Sequence, residues 1–134
     1  MVCSWWNHIN SEGIFIEQYK GNWVHELKGE VTLEDMLLGR VGLHLSSFLF
    51  RKECFSNNDL FDEKLIGVED WELWMRLIYQ GFKLGCIPRS LAAYRIHDKG
   101  LYSDNEKMLE NSMKVYKKIF NMKKVNKILL VVFL

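Results

Sequence analysis

Apolar residues along this chain change period several times, and each change marks an expected element. Val2–Ile9 is rich in aromatic and β-branched residues. Asn10, Ser11, Glu12 and Gly13 then form a cluster of turn residues, and Ile14-Phe15-Ile16 resumes apolar β character. This succession predicts a β-hairpin with a four-residue loop. Gly21-Asn22 breaks the pattern again. Thr32-Leu33-Glu34-Asp35 reads as an N-cap followed three residues later by an acid, a capping-box variant. A short helix through Leu38 follows, closed by Gly39 in the position where a left-handed residue ends a helix.

Residues 41–51 form a nearly continuous apolar run interrupted by Ser46-Ser47. The run predicts a strand covered on both faces. Residues 57–59, Asn-Asn-Asp, read as a loop. A helix is expected over 69–80. At 100° per residue, Glu69, Glu72, Arg76 and Gln80 share one stripe, with Glu72 and Arg76 a favourable i,i+4 pair. Trp71, Leu73, Trp74, Met75, Leu77 and Ile78 cover most of the remaining circumference, and Gly81 closes the helix. Two short strands, 82–87 and 91–97, are predicted on either side of Pro88, the single proline. The loop 98–104 leads to a last helix whose apolar positions are Met108, Leu109, Met113, Tyr116, Ile119 and Phe120.

The 134 residues suit one domain. We take 1–134 as a single unit, with a core over 1–104 and a C-terminal helix and apolar tail over 105–134. A net charge of +1 gives no electrostatic case for a nucleic-acid partner. Lys114, Lys117, Lys118, Lys123, Lys124 and Lys127 gather late and read as a solvated face. Cys3, Cys54 and Cys86 have no metal-ligand spacing and read as reduced structural residues of a cytosolic protein. The N-terminus has no secretory pattern. The apolar run 128–134 is seven residues, far short of the roughly 20 that span a bilayer.

Two adjacent carboxylates, Glu69 and Asp70, open a helix that is otherwise apolar almost all round. Asp70 falls between Leu77 and Trp74. An ionised carboxylate there is costly unless paired or used. Two readings stay open: an N-cap whose oxygen accepts a backbone N–H, or a functional acid. Glu69 can serve the helix dipole alone. Trp71 and Trp74 can be core residues or a sugar platform. His97, at the end of a strand, can be exposed, structural or a metal ligand.

In order, Phe61-Asp62-Glu63-x-Leu65, Glu69-Asp70-x-x-Leu73-Trp74-x-Arg76-Leu77, Gly81-Phe82-Lys83, Ile87-Pro88 and Tyr94-Arg95-x-His97 resemble the C-terminal half of family 2 glycosyltransferases. The resemblance covers 41–103 well and 2–19 loosely. It implies an α/β fold of the GT-A type, partial here: a mixed sheet with flanking helices, and the N-terminal nucleotide-binding half absent. It makes Asp70 the general base of an inverting transfer and Glu69 an acceptor-orienting group. Substrate contacts fall to Trp71, Arg76, Ser46, Ser47 and Arg95, and the metal or diphosphate to His97. The implied partners are a nucleotide-sugar donor and a saccharide or lipid-linked acceptor in surface polysaccharide synthesis.

The chain departs from that family in two places. The sequence holds no Asp-x-Asp, the motif that carries Mg²⁺ or Mn²⁺ on the diphosphate in the complete enzyme. The usual Gly-Gly before Phe-Asp-Glu is replaced by Asp59-Leu60. The chain therefore reads as the second half of an enzyme, begun at a Met internal to a longer reading frame and inactive in isolation. The alternative is a non-catalytic GT-A remnant that binds a saccharide or protein. A cytoplasmic location is expected, with peripheral contact at the inner membrane face through the tail. Self-association through exposed apolar surface is also expected, because the run 41–50 needs cover on both faces.

Overall fold

The computed structural model describes residues 1–16, 29–56, 60–97 and 105–122. The break at Gly21-Asn22, the loops at 57–59 and 98–104, the lysines at 123, 124 and 127 and the tail 128–134 lie outside them. The described residues form a small α/β unit around a four-stranded mixed sheet. In chain order the strands are β1 (Val2–Ile9), β2 (Gly29–Val31), β3 (Phe48–Leu49) and β4 (Leu84–Arg95). Their spatial order is β2-β4-β1-β3. β1 and β4 run parallel at the centre, and β2 and β3 add antiparallel edges. The helices are α1 (Leu33–Leu37), α2 (Glu69–Tyr79) and α3 (Asn105–Phe120).

The hairpin expected after β1 is present in outline. Ile9 bridges Phe15, Asn10 N–H donates to the Ile14 carbonyl at 2.9 Å, and Ile16 N–H donates to the His8 carbonyl at 2.9 Å. The Asn10 side chain organises the turn, its Oδ1 accepting from the Glu12 and Ile14 amides at 3.0 and 2.9 Å. The capping box is also as expected. Asp35 N–H donates to Thr32 Oγ1 at 3.1 Å, and Thr32 N–H donates to Asp35 Oδ2 at 3.0 Å. Gly39 follows at φ 63°, the left-handed conformation its position demands.

Two expectations are corrected. The run 41–51 is not one strand buried on both faces. It contains a 3-10 turn at Leu45–Ser47, then only the two residues of β3, and Leu49 is 71% exposed. The serines explain the break. The Ser47 hydroxyl donates to the His44 carbonyl at 2.7 Å, a local bond that competes with the ladder. Residues 82–97 are likewise not two strands. β4 runs through Pro88, and its ladder with β1 jumps from Ser4↔Ile87 to Trp5↔Ser90 and then to Trp6↔Ala92. The extra residues bulge out. Proline, lacking an N–H, is tolerated there because β2 pairs only with residues 84–86.

α2 is buried nearly all round: Glu72, Leu73, Trp74, Met75 and Leu77 are all enclosed. Its core partners include Cys3, Val31, Met36, Leu84, Val115 and Ile119. On α3 the buried residues are Asn111, Val115 and Ile119, whereas Leu109 and Met113 of the expected apolar set are 66% and 50% exposed. Asn111 is drawn inward because its Nδ2 donates to the Ile66 carbonyl at 2.9 Å. This bond fixes α3 against the loop that leads into α2.

Candidate functional site

The turn before α2 sets the site. Gly67 has φ 82°, and a Cβ there would lie 2.8 Å from the Met108 sulfur of α3. Glycine therefore suits both the backbone conformation and the close approach of α3. Val68 is the N-cap and supplies no side-chain capping bond. Glu69 and Asp70 are thus the first two helical residues, which corrects the N-cap reading of Asp70.

Asp70 lines a cleft of about 270 Å³. One wall is Val68, Trp71 and Trp74 with Gly67, another is residues 41–43 with Met36, and the third is Met108 and Ser112 of α3. The Asp70 carboxylate is half-buried and accepts the Trp71 N–H at 2.6 Å. Burial pushes its pKa up from 3.8 to about 6, against the Trp71 hydrogen bond and with a smaller push from the Glu69 charge. Two buried polar atoms beside this helix lack a partner among the described residues: Glu69 Oε2, an acceptor, and Trp74 Nε1, a donor. Such atoms cost stability unless a ligand or water meets them. A larger cleft of about 630 Å³ lies at Met1, Leu49, Phe50 and Phe82 and contains none of the candidate site residues.

Trp71 is half-buried and lines the Asp70 cleft while standing edge-on to Tyr116, with centroids 5.0 Å apart. Trp74 stacks on Phe48 at 4.5 Å with the rings within 3° of parallel. Arg76 turns to Glu72, with Nε and Nη2 donating to the two carboxylate oxygens at 3.0 and 3.2 Å, and Nη2 also donating to the Leu60 carbonyl at 2.8 Å. Arg95 donates from Nη1 to the carbonyls of Asn10 and Ser11 at 2.8 and 2.9 Å, pinning the hairpin turn. Ser46 and Ser47 lie in the 3-10 turn just after the cleft-lining residues 41–43. His97 is exposed, just beyond β4. The structure therefore brings Asp70, Trp71 and Trp74 to one cleft and engages the two arginines in contacts within the fold.

A divalent cation on a diphosphate needs several hard oxygen ligands or imidazoles. Among the described residues no three His, Cys, Asp or Glu side chains converge in a way that could hold a metal ion, at His97 or elsewhere. The donor set does not fit Mg²⁺ or Mn²⁺, and no step below is routed through a metal. Among the described residues, no helix is long and apolar enough to cross a membrane.

Sequence reasoning missed the part of the site outside α2. The wall formed by residues 41–43 was expected inside a strand, and Ser112 carries no signal of its own. It also missed an aromatic cluster on β1 and β4. His44 stacks on Tyr94 at 4.1 Å and meets Trp6 edge-on at 4.6 Å, with His8 6.2 Å away. Burial and the charge of His8 lower the His44 pKa from 6.5 to about 4. The period-2 placement of Trp6 and His8 on one strand face was the available signal. No protein-family model, curated protein or solved structure matches this chain.

Proposed function

We propose that this chain is the acceptor-binding side of an inverting glycosyltransferase with a GT-A-type fold, and that Asp70 is its general base. The reading is carried by the place of Asp70, a half-buried carboxylate in a cleft walled by Trp71 and Trp74. A base of this kind takes the proton from an acceptor hydroxyl as its oxygen attacks the anomeric carbon. The nucleoside diphosphate leaves with the electron pair of the broken C–O bond. A carboxylate with a raised proton affinity is the better base for a weak acid such as a sugar hydroxyl. The Trp74 Nε1 donor and Glu69 Oε2 acceptor, which have no partner among the described residues, support a polyhydroxylated ligand, which offers both kinds of partner.

Donor binding is assigned to residues outside this chain, since the sequence contains no Asp-x-Asp. The isolated chain is accordingly expected to release no nucleoside diphosphate above a heat-killed control. A second reading, a non-catalytic GT-A remnant that binds a saccharide or protein through the same cleft, draws on the missing metal donor set among the described residues. The first test is titration of ¹⁵N-labelled chain with a panel of saccharides. The reading expects indole N–H shifts at Trp71 and Trp74, and their loss in Trp71→Ala. Absence of shifts across the panel, or shifts produced by nucleotide-sugar alone, would contradict it.

A further inference from the structure

Cys3 and Cys86 are direct partners in the parallel ladder of β1 and β4. Facing residues of one ladder point to the same side of the sheet, so both thiols lie on one face. Adjacent strands are about 4.8 Å apart, inside the Cα separation of roughly 4.4–6.8 Å that a disulfide requires. The two thiols are near enough for each to perturb the other's proton affinity. Cys3 is enclosed at 1% exposure, while Cys86 is half-buried, so only one of the pair meets solvent. Cys86 Sγ donates to the Ile87 carbonyl at 3.9 Å at the edge of the fold, whereas Cys3 sits among the apolar core residues. The pair is asymmetric in the way that an attacking and a resolving cysteine are.

We propose that Cys86 and Cys3 form a thiol-disulfide exchange site that takes a low-molecular-weight disulfide such as oxidised glutathione and closes to a β1–β4 cross-link. In the first step the Cys86 thiolate attacks one sulfur of the small disulfide, forms a mixed disulfide and expels one thiolate. In the second step Cys3 loses its proton and attacks the Cys86 sulfur. The second small thiolate leaves, and the Cys3–Cys86 bond remains. Two protein thiols are oxidised and one small disulfide is reduced to two thiols, which balances the electrons. Burial raises the proton affinity of both thiols, Cys3 to about 12. Exchange is therefore slow at neutral pH and quickens as pH rises. Cys54 is buried in a separate cluster with Leu73 and Leu77, away from this pair, and serves as an internal control.

The test is incubation of the folded chain with oxidised glutathione at several pH values, alkylation of remaining thiols, and peptide mass mapping. The expected product is a cross-linked Cys3–Cys86 peptide pair that has lost two hydrogens, with Cys54 still alkylatable. Cys3→Ala should stop at glutathione on Cys86, and Cys86→Ala should take up no glutathione at Cys3. Circular dichroism of each variant verifies that it is folded, and the wild-type map stands without the variants. A glutathione adduct that persists on wild-type Cys86, a cross-link to Cys54, or thiols that stay free at high pH would each overturn the proposal.

Discussion

The ammonium of Lys118 on α3 lies 2.9 Å from a carboxylate oxygen of Glu72, an α2 residue with no exposed surface. The same carboxylate takes Arg76 Nε at 3.0 Å, and Lys118 also reaches Asp62 at 2.7 Å. The buried charge is offset by two cations, of which Arg76 is the more enclosed and Lys118 the more exposed. This set fixes the rotation of α2 and so the face that presents Asp70 to the cleft. Glu72→Ala leaves Arg76 without its anion inside the fold and should cost about 3–5 kcal/mol. Lys118→Ala, at the solvent edge of the set, should cost about 1 kcal/mol or less. Urea unfolding of the two variants gives the comparison, and equal losses would contradict the ranking.

Thr32 carries both halves of a reciprocal cap on α1. Thr32→Ala removes the oxygen that accepts the Asp35 amide and should lower stability by about 1 kcal/mol. Thr32→Ser keeps that oxygen and should be close to neutral. Thermal melts of the pair distinguish a capping loss from a general effect of substitution at this position.

Asp70 and His44 push stability in opposite directions over nearly the same pH range. Asp70 is raised from 3.8 to about 6. Between those values the folded chain holds a proton that the unfolded chain has released, so stability falls as pH rises through the window. The full effect is about 3 kcal/mol at most. His44 is lowered from 6.5 to about 4. There the unfolded chain takes a proton that the fold refuses, so stability falls as pH drops through that window. Asp70→Asn should steepen the loss on acidification by leaving the His44 slope unopposed, and should raise stability at pH 8. His44→Phe should flatten that loss. Urea midpoints from pH 4 to 8 read both slopes, and parallel curves for wild type and Asp70→Asn would contradict the raised affinity.

The sequence made local chemistry legible and long-range placement less so. The Thr32–Asp35 box, Gly39, the Glu69–Tyr79 helix and its Glu72–Arg76 pair follow from spacing alone, because each depends on residues within one or two turns. The strand expected over 41–51 failed because Ser47 bonds back to His44, and Pro88 was absorbed as a bulge by a neighbouring ladder that no local pattern reveals. At the site, the position of Asp70 on the apolar side of α2 was readable from helical angle. The engagement of Arg76 with Leu60 and of Arg95 with the hairpin turn was not, since both partners are carbonyls distant in sequence. The facing of Cys3 and Cys86 is likewise a product of strand register, which the separation of the two residues along the chain conceals.

The central claim rests on the Asp70 carboxylate, and one substitution addresses it. In an enzyme assembled from this chain and a nucleotide-sugar-binding half, Asp70→Asn keeps the size of the side chain but cannot accept a proton. Transfer should fall by about 10²–10⁴-fold, with donor binding unchanged and the melting temperature at pH 8 equal to or above that of the unsubstituted chain. Wild-type turnover by a folded Asp70→Asn enzyme would contradict the assignment of Asp70 as the base.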